Sequence, residues 1–117
     1  MEHILEASLL YDFYGVLLTK RQQQVFEMYY QNDLSLSEIG EELSISRQAV
    51  NDLIHRTEKI LRDFEEKLGL VQRFMEEKRH FIKIQDLVSS LEKESDLDDK
   101  AICKVEEIKS ILNLILS

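Results

Sequence analysis

No proline interrupts the chain and it holds only three glycines, so the two residues that most often end or kink a helix are nearly absent. Leu, Ile, Glu, Lys and Gln dominate instead, and an all-α protein is expected. A single cysteine, Cys103, excludes an intramolecular disulfide and cannot by itself hold a metal, which fits a reducing cytoplasm; beside Ile102 it reads as a small apolar core residue. No apolar run approaches the roughly 20 residues of a membrane span. The first residues carry Glu2 and Glu6 where a secretory signal would be basic, so a soluble, untargeted, cytoplasmic chain with no membrane partner is expected. Catalytic constellations are missing as well. His3, His55 and His80 are far apart, there is no glycine-rich phosphate loop or HExxH pair, and Glu41-Glu42, Glu65-Glu66 and Asp98-Asp99 place neighbouring carboxylates about 100° apart on a helix. The acidic stretch from Glu92 to Lys100 lacks the glycine and terminal glutamate of a calcium loop. These absences predict no enzyme, no cofactor and no metal.

An excess of basic residues is the other thing the chain lacks. Its formal charge is −8, where proteins that hold nucleic acid by its phosphates usually present a basic surface. Residues 1–69 carry seven Lys or Arg against thirteen Asp or Glu, and residues 70–117 carry eight against ten. The segment from Ser46 to Arg62 runs the other way. Arg47, Arg56, Lys59 and Arg62 face only Asp52 and Glu58, a local balance of +2.

What is present is helical periodicity with start signals. Ile4, Leu5, Leu9, Phe13, Val16 and Leu17 form one stripe over residues 3–18, with Glu2, Glu6 and Asp12 off it. Thr19 and Gln22 make a capping box for a second helix with Val25, Phe26 and Tyr29 inside, ending at Gln31-Asn32-Asp33. The aromatics of this half read as core packing in preference to a base-stacking platform. Ser35 and Glu38 make another capping box, opening a helix with Leu36, Ile39 and Leu43 inward. Ser44-Ile45-Ser46 is a turn with Ile45 as a buried plug, Ser44 in a helical or bridge conformation and Ser46 as the next N-cap. A long helix then runs to Leu68, where Gly69 supplies a left-handed end. Its inward stripe is Val50, Leu53, Ile54, Ile60, Leu61 and Phe64. Two more helices follow, over Leu70–Leu91 and from Ala101 onward, separated by a polar loop in which Asp96 or Asp98 caps the last one. The cluster Arg73, Lys78, Arg79, His80 and Lys83 is spread out and interleaved with glutamates, and reads as a solvated face in preference to a phosphate-contacting stripe. Six helices result: a helix-turn-helix domain over residues 1–69 and a C-terminal helical hairpin over residues 70–117. The last turns of that hairpin are too apolar to stand in water, so residues 70–117 either fold back onto the first domain or pair with a second copy; homodimerisation through residues 70–117 is the preferred expectation.

The helix pair around Ser44-Ile45-Ser46 is the functional candidate, because a helix-turn-helix lays its second helix in the major groove. The outward residues of that helix are Arg47, Gln48, Asn51, Asp52, His55 and Lys59. Arg47, Gln48 and Asn51 have the donors to read base edges, His55 faces the same way, and Arg56, Lys59, Lys20 and Arg21 suit phosphates. Asp52 accepts from a cytosine amino group or pairs with Arg56. Leu18-Thr19-Lys20-Arg21-Gln22, Val25-Phe26, Leu34 to Ile39, Leu43, Ile45-Ser46 and Val50 resemble the fourth conserved region of bacterial sigma factors. The whole chain is similar to the YlxM family through Tyr11-Asp12-Phe13-Tyr14, Ser46 to Val50, Arg56 to Lys59 and Phe64 to Gly69. Those are small helix-turn-helix proteins of Gram-positive bacteria and relatives, with genes beside those of the signal recognition particle. The resemblance implies a regulator that binds double-stranded DNA and is linked to protein targeting, or an adaptor that contacts signal recognition particle protein or RNA.

Overall fold

The computed structural model describes residues 2–94 and 96–117, with the side chain of Glu2 outside that set, so its predicted place off the first stripe is not addressed. Among the described residues there are six α-helices, one 3-10 turn and no strand. The helices are α1 (Glu2–Tyr14), α2 (Lys20–Tyr30), α3 (Leu36–Leu43), α4 (Arg47–Leu68), α5 (Leu70–Glu92) and α6 (Asp99–Leu116), with the 3-10 turn at Gly15–Leu17. The chain divides into two compact units, Met1–Val71 and Gln72–Ser117.

In the first unit the start signals work as their chemistry demands. Thr19 Oγ1 accepts from the Gln22 amide while the Gln22 side chain accepts from the Thr19 amide, and Ser35 and Glu38 repeat the exchange. Two core clusters lie behind these caps. One holds Ala7, Leu10, Tyr14, Leu18, Phe26 and Leu61; the other holds Val25, Met28, Ile39, Val50 and Ile54. Tyr11 stacks on Phe26 with 4.5 Å between ring centroids.

The inner face of α1 differs from the predicted stripe. Ala7, Leu10, Tyr14 and Leu18 point inward, while Ile4, Leu5 and Leu17 are exposed and Val16 is 83% exposed. An alanine and a tyrosine carry little weight in an apolar count, yet Ala7 permits close approach and Tyr14 brings a ring with a polar end. That end closes the C-terminal edge of the first unit. The Tyr14 hydroxyl donates to Glu65 Oε1 at 2.5 Å, the Leu70 amide donates to the Tyr14 oxygen at 3.1 Å, and the Val71 amide donates to Glu65 Oε1 at 2.9 Å. Two amides of the first turn of α5, which have no partner within their own helix, are thereby satisfied. Burial and the Glu65 hydrogen bond push the Tyr14 phenol up. Gly69 ends α4 with φ 63°.

In the second unit α5 and α6 meet through Val88, Val105 and Leu112, with Phe81 against them. Asp98 is the cap, accepting from the Ala101 amide at 2.8 Å. Cys103 is exposed, contrary to the core role expected of it, because three buried side chains leave no interior for it to enter. No described helix is long and apolar enough to cross a membrane.

Candidate nucleic-acid interface

The turn between α3 and α4 is built by three residues that each solve one problem. Ser44 adopts the left-handed conformation (φ 57°, ψ 41°), in place of the helical or bridge geometry expected of it. This reverses the chain at once. The Ser44 and Ile45 amides both donate to the Gly40 carbonyl, the latter at 3.0 Å, a Schellman closure whose last residue is normally apolar. Ile45 fills that role, half-buried against the core and not the fully buried plug the sequence suggested. Gly40 is required because a Cβ there would lie 2.7 Å from the Ile45 carbonyl oxygen, a backbone atom with little freedom to yield. Ser46 then caps α4, its Oγ accepting from the Ala49 amide at 3.0 Å.

α4 has 22 residues, about 33 Å at 1.5 Å per residue. Val50, Ile54 and Leu61 are buried, with Leu53, Ile60 and Phe64 half-buried beside them. Arg47, Gln48, Asp52, His55, Arg56 and Lys59 are exposed and Asn51 is half-buried. Side-chain bonds divide this outward surface into two stripes. On one, Gln48 Nε2 donates to Asp52 Oδ1 at 3.0 Å, Arg56 Nε donates to the Asp52 carbonyl at 3.4 Å and Lys59 pairs with Asp63 at 3.5 Å. The Asp52 carboxylate is thus held by Gln48, one turn earlier, and the expected Asp52–Arg56 side-chain pair is replaced by a bond to the backbone. On the other stripe, Asn51 and His55 line a cleft of about 430 Å³ together with His3, Tyr30, Asp33, Glu38 and Glu58, and no Lys or Arg lines it.

Glu58, one of the two acids in the +2 balance of the Ser46–Arg62 segment, is only 5% exposed. The Tyr30 hydroxyl donates to its carboxylate, His3 Nε2 lies 3.5 Å away and an Arg62 nitrogen 3.8 Å away. Burial, then the Glu58 hydrogen bond, drives the Tyr30 phenol well above its usual range. Thr57, buried next to it, satisfies its hydroxyl by donating to the Leu53 carbonyl at 2.8 Å. With Glu58 turned inward and Arg62 paired to it, the exposed surface of α4 presents Arg47, Arg56 and Lys59 against Asp52.

Three of the candidate cations share a position on their helices. Arg47 opens α4, and Lys20 and Arg21 open α2; neither first turn contains an acidic residue. The N-terminal end of a helix carries a partial positive charge, so Lys or Arg there is disfavoured by about 0.3–1 kcal/mol and an anion is favoured. Arg47 also borders a shallow depression with Ser37, Gly40, Glu41 and the three turn residues. Lys20 and Arg21 lie on a separate element and do not enter the α4 stripes. Gly40 and the Tyr30–Glu58 pair are the parts of this region that sequence patterns passed over; a glycine five residues before the apolar turn residue was the available signal for the first.

This geometry defines a helix-turn-helix protein. The chain belongs to the UPF0122 family: the family described as "Putative helix-turn-helix protein, YlxM / p13 like" matches residues 1–101. A UPF0122 protein of Thermoanaerobacter sp. (strain X514) is 50% identical over 101 residues, 86% of each chain. One from Desulforamulus reducens is 41% identical over 116 residues, 99% of this chain and 95% of its own. A third, from Bacillus cereus (strain AH187), is 41% identical over 108 residues, 92% of this chain and 98% of its own.

Proposed function

We propose that the protein is a DNA-binding regulator that places the first turns of α4 in the major groove. Arg47, Gln48 and Asn51 address base edges, His55 flanks them, and Lys20, Arg21, Arg56 and Lys59 engage phosphates. The observation that carries this reading is the set of cations at two capped, acid-free helix N-termini. They sit where a cation is least comfortable alone and where a phosphate would be held by charge and helix dipole together. The working compartment is the cytoplasm and no catalytic step is involved. Electrophoretic mobility shift at low salt on a random duplex pool tests the reading: a retarded complex is expected, and Arg47→Ala should weaken it by ~1–3 kcal/mol. No complex on any duplex would rule it out.

The cleft beside Asn51 and His55 favours a second reading. Its walls carry Asp33, Glu38 and Glu58 and no Lys or Arg, a surface suited to a protein partner. In that case the chain is an adaptor that contacts signal recognition particle protein or RNA, and its complex with those components survives Arg47→Ala. Pull-down with purified particle components distinguishes the two.

A further inference from the structure

We infer that the second unit is completed by a second copy of itself, through one defined face of its hairpin. α5 and α6 are joined by residues 93–98 and bury only three side chains, Val88, Val105 and Leu112. A core that small does not hold two helices of 23 and 18 residues by itself. The apolar residues that would enlarge it are present but unburied, and their placement has a direction. Counted at about 100° per residue, Ile84, Leu91 and Leu87 lie roughly 40°, 60° and 100° to one side of Val88. Ile108, Ile115 and Ile111 lie roughly 60°, 80° and 120° to the same rotational side of Val105. In an antiparallel pair these two flanks fall on one face of the hairpin. Glu92 and Lys109 lie about 40° to the opposite side, and their 2.8 Å ion pair closes the other face.

The six residues of the open face are between 41% and 61% exposed. Together they present roughly 500 Å² of apolar surface per chain, near the upper end of what a monomer exposes, and two copies face to face would bury roughly 1,000 Å² before the rim is added, the threshold that a specific interface has to clear. Charge selects the occupant. The unit has eight Lys or Arg against ten Asp or Glu; Lys83 and Glu76 border the face on α5, and on α6 Lys104, roughly 100° from Val105, stands within it between Ile115 and Ile111, with Glu107 at its far edge. Two copies therefore approach without strong repulsion, whereas the first unit carries −6. Two hairpins joined this way make a four-helix bundle with an isologous interface.

The inference stands or falls independently of whether α4 reads DNA, since it concerns mass and not nucleic acid. Analytical ultracentrifugation of the full chain at tens of micromolar should give twice the chain mass. Ile111→Glu and Leu87→Glu should shift it to the monomer by tenfold or more in dissociation constant, while Ile82→Glu, on the opposite flank of α5, should not. In the unsubstituted protein, amide exchange protection of α5 and α6 should rise with concentration while that of α1–α4 stays constant, a readout that needs no variant to fold. A monomeric unsubstituted chain would overturn the inference, whether or not α5 and α6 are protected in it. So would a dimer that Ile82→Glu disrupts as strongly as Ile111→Glu.

Discussion

One serine and one aspartate bear backbone geometry that glycine would bear more easily. Ser44, at φ 57°, ends α3 and Asp33, at φ 56°, lies in the turn after α2, both in the left-handed region, which costs a residue with a Cβ about 1–2 kcal/mol, less for Asp. Ser44→Gly is expected to raise unfolding stability by about 1 kcal/mol in urea titration, with the slope unchanged. Gly40→Ala should act in the opposite sense, by about 1–3 kcal/mol, since its methyl group meets a backbone oxygen. Phenols report on the same scale. Tyr11 is pushed up to about 12 by burial and then by Glu27, and Tyr14 and Tyr30 are also raised. In the unfolded chain all of them ionise near 10. A folded pKa above the unfolded one gives stability that is complete below about 10 and is lost as pH rises toward the folded value. Absorbance titration of the folded protein should show these phenols ionising late, and urea midpoints should fall as pH rises above about 10.

At the scale of the element, caps were the most legible part of the sequence. Thr19, Ser35, Ser46 and Gly69 do what their types and spacings announce, because a cap is a local exchange of hydrogen bonds that needs no distant partner. Faces were less legible where a polar atom decides them. The inner face of α1 depends on Tyr14 reaching Glu65 on α4, and the inward turn of Glu58 depends on Tyr30 on α2; neither partner can be found by periodicity within one helix. Ser46→Ala should cost about 1 kcal/mol and fray the first turn of α4, where Arg47 and Gln48 stand. Circular dichroism melts check the stability, and a loss of DNA affinity exceeding that of a control cap removal, Asp98→Ala in α6, would locate the effect in α4.

For the molecule as a whole, the all-helical architecture follows from what the chain lacks, and the helix-turn-helix follows from two capping signals set around a short turn. Its surface was harder to anticipate, because net charge says little about where charges end. Glu58 is buried and Arg62 pairs with it, so the surface of α4 keeps the +2 balance counted along the helix, while the rest of the first unit is acidic and opposes a polyanion. DNA binding by such a chain should be strongly screened by salt and sensitive to any acid near α4. Glu41→Gln, at the edge of the depression that Arg47 borders, should tighten binding several-fold at low salt and less at high salt. Fluorescence anisotropy at two ionic strengths measures both.

The Tyr14–Glu65 clasp has a bearing on how the protein is made. Its last acceptors serve the amides of Leu70 and Val71, so every group that closes the first unit has been synthesised once residue 71 is added. A nascent chain emerging from a ribosome N-terminus first can thus finish its helix-turn-helix unit before the hairpin is complete. If copies pair through α5 and α6 as inferred, a monomer with a complete helix-turn-helix precedes that pairing.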